Sequence, residues 1–176
     1  MDEEKRFLKF LTREIAEFAV MKIVPLIREM KSSLNRQVCH IIVLVPAKKE
    51  THTDLCGYPY YEIEPRVLFE YSLGDPETWP RKFNEIAFSK ALQLWQGRND
   101  DRTDCMPHLL FPGDTPFWGG VRRYGFVVAC SGFQPRYDQM FAGLIAEICA
   151  AMAYDAWMTS PERTDIIEHF KSSLLS

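Results

Sequence analysis

The run QVCHIIVLV at 37–45 constrains this chain more than any other. Its β-branched residues favour extended backbone. Successive side chains of a strand point to opposite faces, and here apolar residues fall on both. Neither face suits water, so the run is expected as a central strand. RVLFEYSL at 66–73 supplies a second strand, and VRRYGFVVACSG at 121–132 is the longest strand candidate. HLLFPGDTPFWGG at 108–120 is expected to hold a short strand, a turn and another edge strand. Between the first two strands, 46–65 is polar and bounded by prolines. It reads as a long loop or an irregular hairpin excursion.

The helical segments have a different period. From 2 to 31, Leu8, Leu11, Ile15, Phe18, Ala19, Ile23 and Leu26 follow helical spacing, and Pro25 should kink or split the helix. Asp75 and Pro76 offer helix-start chemistry. The helix beyond them should bury Phe83, Ala87, Ala91 and Leu94 and stop at Gly97. A large helix is expected at 137–157, with Ala142, Ala146, Ala150 and Ala153 on one face. The sheet covers one side of it; the N-terminal helix or a second subunit covers the other. A short tail helix after Ser160 carries Ile166, Ile167, Phe170 and Leu174. The order predicts one α+β domain spanning 1–176, an antiparallel sheet with helices packed on one face.

Composition narrows the function classes. With 47% hydrophobic residues in 176, a core can form without metals or disulfides. A net charge of −3 and no basic stripe argue against nucleic acid as a partner. No apolar run of about 20 residues suggests a membrane span, and the charged N-terminus does not resemble a signal peptide. A cytoplasmic location is therefore expected. The 5 cysteines are scattered without a CxxC, and are expected to be reduced and unpaired.

Several residues are chemical candidates. Ser131-Gly132 followed by Asp138 makes a strand-to-helix corner. Glycine there can adopt backbone angles closed to other residues, and Asp138 can cap the helix. The functional alternative is an anion at the helix start, with Arg136 beside it. Arg122 and Arg123 should face opposite ways, and one can meet a ligand carboxylate. His52, Asp54 and Cys56 are three metal-ligand types close together. His40 is expected to be a satisfied core or edge residue, and His169 to lie on the solvated side of the tail helix.

The strand VLFEYSLGD leading into FNEIAFSKALQLW, then LLFPGDTPFWGG and a strand ending in ACSG before Asp138, resembles the GlcG/HbpS-like family. That family comprises haem-binding-protein-like domains and the C-terminal domain of PduO adenosyltransferases. Ile86-Ala87 with Lys90-Ala91 match its helix pattern. Pro112-Gly113-Asp114-Thr115-Pro116 matches its turn, with Asp114 replacing a glycine. The long 46–65 segment departs from the family's short hairpin. The resemblance implies a profilin- or PAS-like α+β fold, frequent oligomerisation, and in some members haem binding. On that footing His108 is the haem-ligand candidate. The expected function is a non-catalytic binding or accessory protein for a small molecule or tetrapyrrole, with His108, Gly113, Arg122, Arg123, Ser131, Gly132 and Arg136 as ligand-binding candidates. An oligomeric scaffold without a ligand, or an enzyme on a small organic substrate, are the alternatives. The expected partner is a second copy, docked through the large C-terminal helix or the strand before it.

Overall fold

The structure is a computed structural model that describes residues 6–30, 33–34, 36–53, 56–57, 59–98 and 107–163. Its elements are β1 (Arg6–Phe7), α1 (Arg13–Glu29), β2 (Cys39–Thr53), β3 (Pro59–Leu73), α2 (Phe83–Trp95), β4 (Gly120–Arg123), β5 (Phe126–Ser131) and α3 (Pro135–Met158). The strands form one antiparallel sheet, as expected. β2 is its central strand. β3 pairs along one edge of β2; β5 and then β1 pair along the other, and β4 closes the far side of β5.

The helices lie on both faces, not one. Cys39, Ile41, Val43 and Val45 of β2 join Val128 and Cys130 of β5 in a core with α1 and α3. The alternate residues Ile42 and Leu44 meet Val127 and Ala129 under Ala87, Ala91 and Leu94 of α2. Two adjacent strands that are apolar on both faces require cover on both, so α2 crosses to the side α1 and α3 leave open.

The first helix starts later than its periodicity suggests. Arg6–Phe7 is extended and pairs with Ala47 and Lys48 of β2. Thr12 then caps α1 by accepting a hydrogen bond from the Ile15 N–H. The buried face is Ala16, Ala19, Val20, Ile23, Val24 and Ile27; Leu8 and Phe18, expected inside, are exposed. Pro25 lies within one continuous helix. Of the two readings of 46–65, the hairpin is the one found: β2 and β3 are 15 residues each and stay paired out to Thr53↔Pro59. Pro46 and Pro65 face each other in this ladder. Pro46 lies between the last β5 partner, at Leu44, and the first β1 partner, at Ala47. Proline is tolerated where a ladder is interrupted.

The expected long strand at 121–132 is a second hairpin. Tyr124 and Gly125 both have positive φ, 53° and 86°. Two such residues make the tight turn whose twist matches antiparallel strands. Asp75 caps a one-turn 3-10 helix, Pro76–Thr78, and α2 begins only at Phe83. Segment 108–119 forms no strand; it contributes a one-turn helix, Pro107–Leu109, and an irregular run into β4. Ile166, Ile167, His169, Phe170 and Leu174 of the expected tail helix lie outside the described residues.

α3 is 24 residues long and, by length and composition, apolar enough to cross a membrane, contrary to the expectation from sequence. Its residues Phe141, Ala142, Ile145, Ala146 and Cys149 are buried against the sheet and α1. Ala142 and Ala146 are therefore covered within one chain, while Ala150 and Ala153 are only partly buried. Ala146→Glu is expected to unfold the protein, because it places an unpaired carboxylate in a site with 0% exposure. Loss of the cooperative thermal transition checks this; a folded variant with a native circular dichroism spectrum would contradict it.

Candidate functional site

The Ser131-Gly132 corner ends β5, and its main organising group comes from the opposite face of the sheet. Lys90 follows Ala87 by three residues in α2, so it lies on that helix's buried side. Its Nζ donates to the Cys130 carbonyl at 2.9 Å and to Asp138 Oδ2 at 2.9 Å. Both side chains of this ion pair are 2% exposed. Asp138 Oδ1 accepts the Phe133 N–H at 3.1 Å. Asp138, expected from sequence to cap α3, does not do so; Gln134 occupies that position. It reaches back instead and pins the corner. Burial pushes the Asp138 carboxyl up from its ordinary range, and the Lys90 charge opposes that shift. At Gly132 (φ 153°) an added Cβ would run into the Val38 carbonyl, so only glycine lets β5 pass so close to the start of β2.

Beside the ion pair lies a cleft of about 350 Å³. Lys90, Asp138, Ser131 and Gly132 border it. Phe83, Ile86, Phe117, Phe133 and Pro135 supply apolar wall, and Arg36 and Arg81 complete the lining. Arg36 lies over the Phe83 ring at 5.4 Å, and Arg81 over the Phe117 ring at 5.5 Å. No histidine lines this cleft among the described residues.

The other candidates go elsewhere. His108 is exposed on its one-turn helix and lines none of the three cavities described. Gly113 borders a second groove, where its carbonyl accepts from Ser89 Oγ at 2.8 Å. Asp114, in the same turn, forms a bidentate pair with Arg98, whose hydrogen bonds hold its carboxyl below the usual range. Arg122 and Arg123 do face opposite ways. Arg122 donates to the Trp95 carbonyl of α2, and Arg123 pairs with Glu147 of α3. Arg136 lies over Trp118 and lines a third, open groove between β4 and α3, not the cleft at the corner it was expected to serve. The cations of that cleft besides Lys90 are Arg36 and Arg81, from segments far away in sequence.

Of the suggested metal ligands, His52 pairs with Tyr60 in the ladder and Cys56 is exposed, while Asp54 lies outside the described residues. Among the described residues no three His, Cys, Asp or Glu side chains come together as a metal would need. Cys39, Cys130 and Cys149 are buried free thiols, and burial raises Cys149 to about 12; Cys105 lies outside the described residues.

Sequence reasoning missed two buried polar groups of α2, Lys90 as half of an ion pair and Gln93. Gln93 clamps Thr115, donating to its carbonyl at 3.0 Å and accepting its N–H at 2.9 Å. The signal was present: both lie among Ala87, Ala91 and Leu94 in helical spacing, where a polar side chain must find partners. His40 is a satisfied buried residue, as expected. Its Nδ1 lies 2.9 Å from Ser72 Oγ and its ring packs edge-on to Trp79. No family model, curated protein or solved structure matches this chain.

Two predictions follow from this polar core. Removing one partner of the buried pair, by Lys90→Met or Asp138→Leu, should cost about 3–5 kcal/mol, and the double variant should recover most of it. Urea denaturation of the three variants tests this; additive losses would refute the coupling. The second concerns His40, which is 6% exposed and whose imidazole is held below its ordinary value of 6.5 by burial, against the pull of Glu70. The unfolded chain therefore takes up this proton at higher pH than the folded one. The stability tied to neutral His40 is complete above 6.5 and is lost as pH falls through the lower folded value. Asp138, raised by burial, works in the opposite direction in both proteins. Relative to the parent, His40→Phe should lose less stability between about pH 7 and about pH 5; equal slopes would contradict the assignment.

Proposed function

We propose that this chain is a GlcG/HbpS-like, non-catalytic binding protein whose small-molecule site is the cleft between the N-terminal parts of α2 and α3. One observation carries the reading. Lys90, Ser131, Gly132 and Asp138, which supplied much of the resemblance from sequence, border a single cleft beside a buried ion pair. Apolar walls with a few fixed polar groups are the usual make-up of a small-molecule site. The volume, about 350 Å³, is near the lower end for such sites and suits a ligand much smaller than a tetrapyrrole. A binding role is favoured over catalysis because no imidazole lines the cleft among the described residues, and because Lys90 is engaged by Asp138 and Cys130.

Self-association is a second part of the proposal. Met140 and Leu144 of α3 are exposed and line the open groove with Val121 of the edge strand β4. A second copy docked there would use the helix and the strand hairpin before it.

Amide-resolved NMR with a library of small polar and aromatic compounds tests the site. Bound compounds should shift the amides of Ile86, Lys90 and Ser131 through Asp138. Ile86→Trp, which fills the cleft from its wall, should abolish those shifts in a folded protein. Compounds that consistently shift the Phe111–Asp114 turn instead, and leave the cleft amides alone, would move the site elsewhere.

A further inference from the structure

We infer that the cleft beside the Lys90–Asp138 pair is selective for small carboxylates with an apolar body about the size of one aromatic ring. This rests on the small-molecule reading of the cleft and adds the chemistry of its ligand. Three cationic side chains border the space, Arg36, Arg81 and Lys90, against one acid, Asp138. Asp138 is already committed at both oxygens, to Lys90 and to the Phe133 N–H. Arg36 and Arg81 have no carboxylate within ion-pair distance among the described residues, so their charge is uncompensated there. Each lies over a phenylalanine ring of the same cleft. Stacking restrains a guanidinium while leaving its edge donors available, and that edge matches a carboxylate with two parallel hydrogen bonds. Lys90 is engaged by Cys130 and Asp138, so the two arginines are the cations left to meet a ligand carboxylate. Phe83, Ile86, Phe117, Phe133 and Pro135 would pack a ring or short hydrocarbon body. Those apolar walls argue for a compact organic acid over a bare inorganic anion, whose hydration they cannot replace.

The test uses the full chain and four probes: benzoate, its neutral analogue benzamide, phenyl phosphate and inorganic phosphate. Binding is read by calorimetry and by shifts of the cleft amides. Benzoate should bind at least about tenfold more tightly than benzamide, because the charge-assisted bonds are lost in the amide. Its affinity should fall as salt rises. Arg81→Gln and Arg36→Gln should each weaken benzoate about tenfold and leave benzamide nearly unchanged. Arg81 is exposed, so its replacement leaves the fold intact and keeps the test decisive. If benzamide binds in the cleft as well as benzoate and neither arginine matters, the carboxylate inference fails while the binding site stands. If phenyl or inorganic phosphate binds more than about tenfold tighter than benzoate, the selectivity inference is overturned in favour of phosphate. If no probe shifts the cleft amides at millimolar concentration, the inference and the small-molecule reading fall together.

Discussion

Lys90 and Asp138 come from helices on opposite faces of the sheet, and they meet around the end of β5. Burying two charges is expensive, and their attraction repays it only when the remaining polar atoms are also satisfied. Here Lys90 adds the Cys130 carbonyl and Asp138 adds the Phe133 N–H, so backbone on both sides of the β5–α3 corner is tied to the pair. The pair therefore sets more than local stability. It fixes how deep α2 lies on its face, where α3 starts, and part of the border of the cleft beside them. A helix dipole alone would hold α3 far less specifically, because Asp138 is not at the cap.

The two-faced sheet makes this geometry available. α1 and α3 cover one face with a broad apolar core that includes Ile23, Ile27, Phe141 and Ile145. α2 covers the other with a smaller set, Ala87, Ala91 and Leu94. Alanines bring the α2 backbone close to β2 and β5, and the long Lys90 side chain can then reach past the strand end. The same helix holds the irregular approach to β4. Ser89 binds the Gly113 carbonyl and Gln93 the backbone of Thr115. Polar side chains thus supply the partners that a strand ladder would otherwise give this backbone. The result is one helix with an apolar patch toward the sheet and a polar rim toward both grooves.

The arginine arrangement has a separate origin. Arg36 precedes β2, Arg81 precedes α2, and Arg136 belongs to the first turn of α3. Each settles over an aromatic ring, Phe83, Phe117 and Trp118 in turn. The choice of ring directs the charge: the first two border the corner cleft, the third the groove on the α3 side. Adjacency in sequence to Ser131 and Gly132 made Arg136 the natural partner of that corner. Its position in α3 carries it round to the other groove.

Sequence alone determined the elements whose burial pattern is complete within a few residues. QVCHIIVLV had to be a central strand, Phe83, Ala87, Ala91 and Leu94 had to be one buried helix face, and Ser131-Gly132 had to be a close strand-to-helix corner. The α+β class and antiparallel sheet follow from that order of periods, since hairpin-connected strands pair antiparallel. Tertiary structure decided what depends on partners distant along the chain. Between the loop and hairpin readings of 46–65, tertiary pairing decided: 46–53 and 59–65 are strand because each has the other to pair with. The face taken by α2 depended on which side α1 and α3 left uncovered. Lys90 became one half of a buried ion pair because Asp138, 48 residues later, reaches it. Long-range charge pairing and packing leave no local periodicity, so the cleft and its cations exist only in the folded chain.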